Sequence, residues 1–84
     1  MPDKVIPQPL LAELTLFHTD GCHLCEMAAE LLNAMQLSVV HQDICDDELL
    51  AERYGVRIPV LATGAGQELN WPFDEAAVKQ FLGV

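Results

Sequence analysis

The stretch HTDGCHLCEMAAELLNAM, His18 to Met35, sets two cysteines three positions apart between a glycine and an apolar helical run. Ala28, Leu31, Leu32 and Met35 recur at helical spacing, with Glu26, Glu30 and Asn33 on the other face, so the run reads as an amphipathic helix lying on a sheet. The cysteines open that helix. A thiol attacks as its thiolate, and the free N–H groups and dipole of a helix N-terminus favour that anion, so Cys22 stands where a cysteine is activated. Cys25, almost one turn further on, can reach the Cys22 sulfur once Cys22 has formed a mixed disulfide. A protonated His23 would further favour the Cys22 thiolate, whereas Asp20 and Glu26 would oppose it.

Upstream, ELTLFH (Glu13 to His18) is short, apolar-rich and stopped by Thr-Asp-Gly, as suits a strand feeding a tight turn. Downstream, LSVVHQDI (Leu37 to Ile44) carries β-branched residues and reads as a second strand. DDELLAERYG has acids in its first turn, Arg53 near its end and Gly55 just past it, predicting a short second helix with Gly55 in the C-cap region. IPVLAT and QELNW flank Gly-Ala-Gly and read as a hairpin. DEAAVKQFL then predicts a last helix with Asp74 as N-cap and Val78, Phe81 and Leu82 on one face, with Trp71 and Phe73 packed beneath it. The order β-α-β-α-β-β-α implies a parallel pair plus an antiparallel hairpin, hence an α/β fold with a four-stranded mixed sheet flanked by helices. Three prolines in the first nine residues predict an extended tail over 1–9, leaving a single domain over 10–84.

At 84 residues there is room for one modest core, and 51% hydrophobic residues supply it. Three cysteines are an odd number, and Cys22 and Cys25 lie too close to close a useful loop, so packing must carry the stability. The net charge of −9 comes from 4 basic and 13 acidic residues, with no Lys or Arg between Lys4 and Arg53. That balance argues against a nucleic-acid partner, because phosphate binding needs the opposite sign. The N-terminal apolar stretch is broken by Pro7 and Pro9 and lacks a small-residue cleavage site, so no secretory signal is expected, and no run reaches membrane-spanning length. The expectation is a cytoplasmic protein with no membrane partner, where thiols are kept reduced and a C-x-x-C is catalytic or metal-binding.

Other uses of the cysteines stay open on the residues alone. Zinc normally takes four N or S ligands and there is no second cysteine pair, which leaves His18, His41 and Cys45 as residues available to complete a site. An inert buried pair is the blander alternative. Cys45, in DICDDE, reads as a buried filler or a cap-region residue, and His18 and His41 as structural strand residues. Asp43, Asp46, Asp47 and Glu48 read as a solvated helix start, since they lack the calcium-loop pattern.

Taken in order, a strand, GCHLC opening a helix, and RIPVL some thirty residues later resemble the thioredoxin superfamily, and within it the glutaredoxin-like branch of small proteins. The resemblance spans Glu13 to Leu82. It implies a thiol–disulfide oxidoreductase in which Cys22 is the nucleophile and Cys25 resolves. It also implies that Pro59 is a cis-proline lying against the pair, and that Ile58 offers its backbone N–H and C=O to an extended substrate. The partners it implies are a protein or small-molecule disulfide and a thiol reductant. No cofactor is required. The glutathione-using members carry Pro-Tyr between the cysteines, nearby basic residues and a Gly-Gly-x-Asp turn, whereas this chain has His23-Leu24 and NWPFDE. Glutathione is thus left with Arg57 as the one cation expected near the site and Asp74 as a partner for its amine. Asn70 and Trp71, before Pro72, would shape a groove for another substrate. The rival functions are a binding module using Cys22 and Cys25 for a metal or an iron–sulfur cluster shared between two chains, and a redox-inactive adaptor.

Overall fold

The computed structural model describes residues 14–83, so the tail expected over 1–9 lies outside the described residues. Alternation in LTLFH builds the first strand, β1 (Leu14–His18). Leu14 and Leu16 are buried towards one face of the sheet, while Phe17 packs on the other, as the two-residue repeat of a strand requires. β1 pairs in parallel with β2 (Val39–Asp43) and antiparallel with β3 (Val60–Ala62). β3 in turn pairs antiparallel with β4 (Glu68–Asn70), so the strand order is β2-β1-β3-β4. Three α-helices complete the described residues: α1 (His23–Ala34), α2 (Glu48–Tyr54) and α3 (Glu75–Leu82). The mixed α/β architecture and element order are those expected from the sequence.

The helices cover both faces. On one, Ala28 and Leu32 of α1 and Val78 of α3 pack with Leu14, Leu16, Leu61 and Phe73. On the other, Tyr54 at the end of α2 packs with Ile44 and Val60, joined by Phe17, Leu50 and Ile58. Neighbouring β3 residues serve different cores, Val60 one and Leu61 the other, because successive strand side chains point to opposite faces. Trp71 meets Phe73 edge-on at 5.0 Å, beneath α3 as expected.

Three local features differ from the sequence expectation. β2 starts at Val39 because Gln36 and Leu37 close α1. Gln36 takes a left-handed φ of 61°, and the Gln36 and Leu37 N–H groups donate to the Asn33 and Leu32 carbonyls. Ile44 belongs to a 3-10 turn, Ile44–Asp46, capped by Asp43, and α2 is capped separately by Asp47, whose Oδ1 accepts from the Leu49 N–H at 2.8 Å. Gly55 does sit at the C-cap of α2, but in right-handed backbone. A Cβ there would lie 2.5 Å from the Ala51 carbonyl oxygen, so close approach rather than left-handed geometry calls for glycine.

Candidate active site

β1 delivers the chain to the turn Thr19–Gly21, and Gly21, at φ 80°, supplies the left-handed step that swings it into α1. Cys22 follows as the N-cap in extended backbone, with its Sγ accepting from the Cys25 N–H at 3.1 Å. Its carbonyl receives the Glu26 N–H. Cys22 is half-buried and Cys25 is 4% exposed, so the first cysteine is the more accessible of the two. Their Cα atoms are 5.2 Å apart and the two sulfurs are in disulfide contact. Phe17, next to His18 at the end of β1, pairs with Val60, and Pro59 immediately precedes Val60 in the chain. Pro59 is fully buried, and the Ile58–Pro59 and Trp71–Pro72 peptide bonds are cis.

The other residues singled out in the sequence are placed as follows. His23 is exposed, and its Nδ1 lies 3.9 Å from Glu26 Oε1, so its nearest charged neighbour is that carboxylate. The Ile58 N–H donates to the Tyr54 carbonyl at 3.0 Å. A substrate backbone docking there must exchange with that bond. Arg57, the one cation expected near the site, donates through Nη2 to Glu68 Oε1 at 2.7 Å and to Asn70 Oδ1 at 3.0 Å. Its guanidinium also lies over the Tyr54 ring, 5.2 Å from the centroid. Asp74 caps α3, its Oδ1 accepting from the Ala77 N–H at 2.8 Å, and it lines an open groove of about 330 Å³ with Pro72, Phe73 and Ala77.

Cys45 is exposed rather than buried, because the 3-10 turn lifts it out of the strand. It is a cap-region residue: its N–H donates to Asp43 Oδ1 at 2.9 Å, and its Sγ lies 3.2 Å from Thr19 Oγ1. The Cys45 N–H is also the main cause holding the Asp43 carboxyl below its ordinary range. His18 and His41 meet edge-on at 5.8 Å. Among the described residues, no three His, Cys, Asp or Glu side chains converge in a way that could hold a metal ion.

A cluster that no motif signalled ties α2 to the outer strand. Tyr54 Oη donates to Glu68 Oε2 at 2.6 Å, Arg57 holds the other carboxylate oxygen, and Arg53 lies 3.7 Å from Oε2. The Tyr54 hydrogen bond, with help from Arg57, keeps the Glu68 carboxyl below its ordinary range, while burial and then the bond to Glu68 push the Tyr54 phenol up. Because the folded value of Glu68 is depressed, its contribution to stability is complete above the unfolded carboxyl value and is lost as pH falls through the folded one. Glu68→Gln is therefore expected to lower stability at neutral pH by on the order of 1 kcal/mol and to make its decline in acid shallower. Urea unfolding across the acid range checks both effects.

A cysteine pair opening the helix that follows an inner strand, with a cis-proline just before the antiparallel neighbour of that strand, defines a thioredoxin-like α/β protein. The chain belongs to the glutaredoxin-like domain family (DUF836), whose profile matches residues 13–83. It is similar to the structural-genomics target XcR50 from X. campestris, whose X-ray structure is 42% identical over 83% of this chain and 95% of that one, with a TM-score of 0.77. Protein Ne2328 from Nitrosomonas europaea, solved by solution NMR, is 26% identical over 96% of this chain and 98% of its own, with a TM-score of 0.73. No match to a curated protein is found. Among the described residues, no helix is long and apolar enough to cross a membrane.

Proposed function

We propose that the chain is a cytoplasmic thiol–disulfide oxidoreductase working by dithiol exchange. The observation that carries this reading is the asymmetry of the pair: Cys22 is half-buried at the N-cap of α1, and Cys25 is buried one turn behind it, its sulfur in contact with that of Cys22. In the reduced protein the Cys22 thiolate attacks one sulfur of a substrate disulfide, forming a mixed disulfide and releasing the other half as a thiolate. Cys25, after losing its proton, attacks the Cys22 sulfur, closing the Cys22–Cys25 disulfide and releasing the second half. Two electrons pass to the substrate, and an external thiol reductant returns them to the protein. The two thiols carry this chemistry without a cofactor. Ile58 and Pro59 place the substrate backbone beside Cys22, in the manner of strand addition.

Cys25→Ser tests the division of labour. With the resolving thiol gone, Cys22 still attacks but the mixed disulfide is not resolved internally. After incubation with a small disulfide, intact-mass spectrometry is expected to find most of the protein carrying one adduct, mapped by peptide digestion to Cys22. Adduct on Cys45 alone, with Cys22 unmodified, would contradict the assignment.

A further inference from the structure

Against Cys25, the buried member of the cysteine pair, lies a cleft of about 220 Å³, lined also by Asp20, Gly21, Glu26, His18 and His41 among others. Two of its walls are carboxylates on either side of Cys22 in the chain. Among the described residues, no lysine or arginine lines it. The described cations are engaged elsewhere: Arg53 and Arg57 face Glu68, and Lys79 faces Glu75. On the exposed face of α1 next to the pair, Leu24 and Met27 are 46% and 44% exposed, giving an apolar contact bordered by Glu26. The net charge of −9 adds a long-range field of the same sign.

We propose that this cleft and the Leu24–Met27 contact select a disulfide-bearing peptide segment with lysine or arginine beside its cysteine, an inference that rests on the dithiol-exchange reading above. Asp20 and Glu26 are its specificity-determining residues. The cation of the substrate sits between their carboxylates, its neighbouring apolar residue rests on Leu24 and Met27, and its sulfur meets Cys22. A carboxylate-bearing disulfide, oxidised glutathione included, enters the same space against the field.

The test uses two symmetrical peptide disulfides that differ only in Lys or Glu beside the cysteine, with cystamine as a small cationic disulfide. Each rate with the reduced protein is divided by its rate with dithiothreitol, which removes intrinsic reactivity. The expected normalised preference for the Lys peptide over the Glu peptide is about tenfold or more at ~20 mM salt, falling severalfold at ~500 mM as screening sets in. Asp20→Asn with Glu26→Gln is expected to bring the ratio close to one. A wild-type ratio near one at both salt concentrations, with exchange proceeding, overturns the charge selection while leaving the redox reading intact. A ratio unchanged in the double variant overturns the assignment to the cleft. Cystamine exchanging with the same normalised advantage as the Lys peptide overturns the peptide source in favour of a small cation. No exchange with any of the three disulfides overturns the redox reading itself.

Discussion

Cys22→Ser is expected to lower the rate of disulfide reduction by about a thousandfold or more, because a serine hydroxyl is neither ionised near neutral pH nor comparably nucleophilic towards sulfur. The position explains why the remaining thiols do not compensate. Cys25 is buried behind Cys22, so a substrate disulfide cannot reach it in line. Cys45 is exposed, but it sits in the 3-10 turn after β2 and not at the N-terminus of α1, with its sulfur against Thr19 Oγ1. The substitution keeps an oxygen where Cys22 Sγ accepts from the Cys25 N–H, and serine is itself a favoured N-cap. The fold is therefore expected to survive, with an unchanged far-ultraviolet circular dichroism spectrum beside lost activity. A variant that keeps a tenth or more of the wild-type rate would move the chemistry away from Cys22.

The largest expected effect on stability comes from Leu61→Ala. Leu61 is fully buried in β3, paired with Leu16 across the two inner strands, in the core shared by α1 and α3. Truncating a leucine there removes transfer energy and leaves a cavity that the surrounding strands cannot close, at a cost of about 2–5 kcal/mol. A domain of this size is stable by only roughly 4–10 kcal/mol, so the variant stands near its folding threshold. Leu49→Ala is the control. That leucine is 73% exposed on α2, and its loss is expected to change stability by less than about 0.5 kcal/mol. Urea unfolding separates the two. Equal effects would contradict the placement of the core between α1 and the sheet.

What could be read from the chain and what could not follows from the range of the forces involved. Ala28, Leu31, Leu32 and Met35 announce α1 because one helix face must be apolar, and LTLFH announces β1 because alternate residues serve opposite faces. Those are local rules. Asp74 was legible as a cap for the same reason. The end of α1 was not: Gln36 takes the left-handed position that glycine usually marks, and the hydrogen bonds from Gln36 and Leu37 back to the helix hold it there. For Cys45 the sequence left a buried filler and a cap-region residue open, and the capture of its backbone N–H by Asp43 decides for the second. The fate of Arg57 lay further off, since its partners Glu68 and Asn70 are more than ten residues away and meet it only when β4 joins the sheet. Long-range partners of a charged side chain leave no periodic trace in sequence. The cysteine pair at the N-terminus of α1 was legible; the cleft beside it was not, because His18, Cys25 and His41 come together only through the parallel pairing of β1 and β2.

The most direct test of the account equilibrates the protein in glutathione buffers of graded ratio and reads the fraction of Cys22 and Cys25 oxidised by thiol alkylation and mass spectrometry. The expected result is a single reversible two-electron transition in which Cys22 and Cys25 lose and regain reactivity together while Cys45 stays alkylatable. A pair that remains fully reduced or fully oxidised at every ratio, or that oxidises only through Cys45, would contradict it.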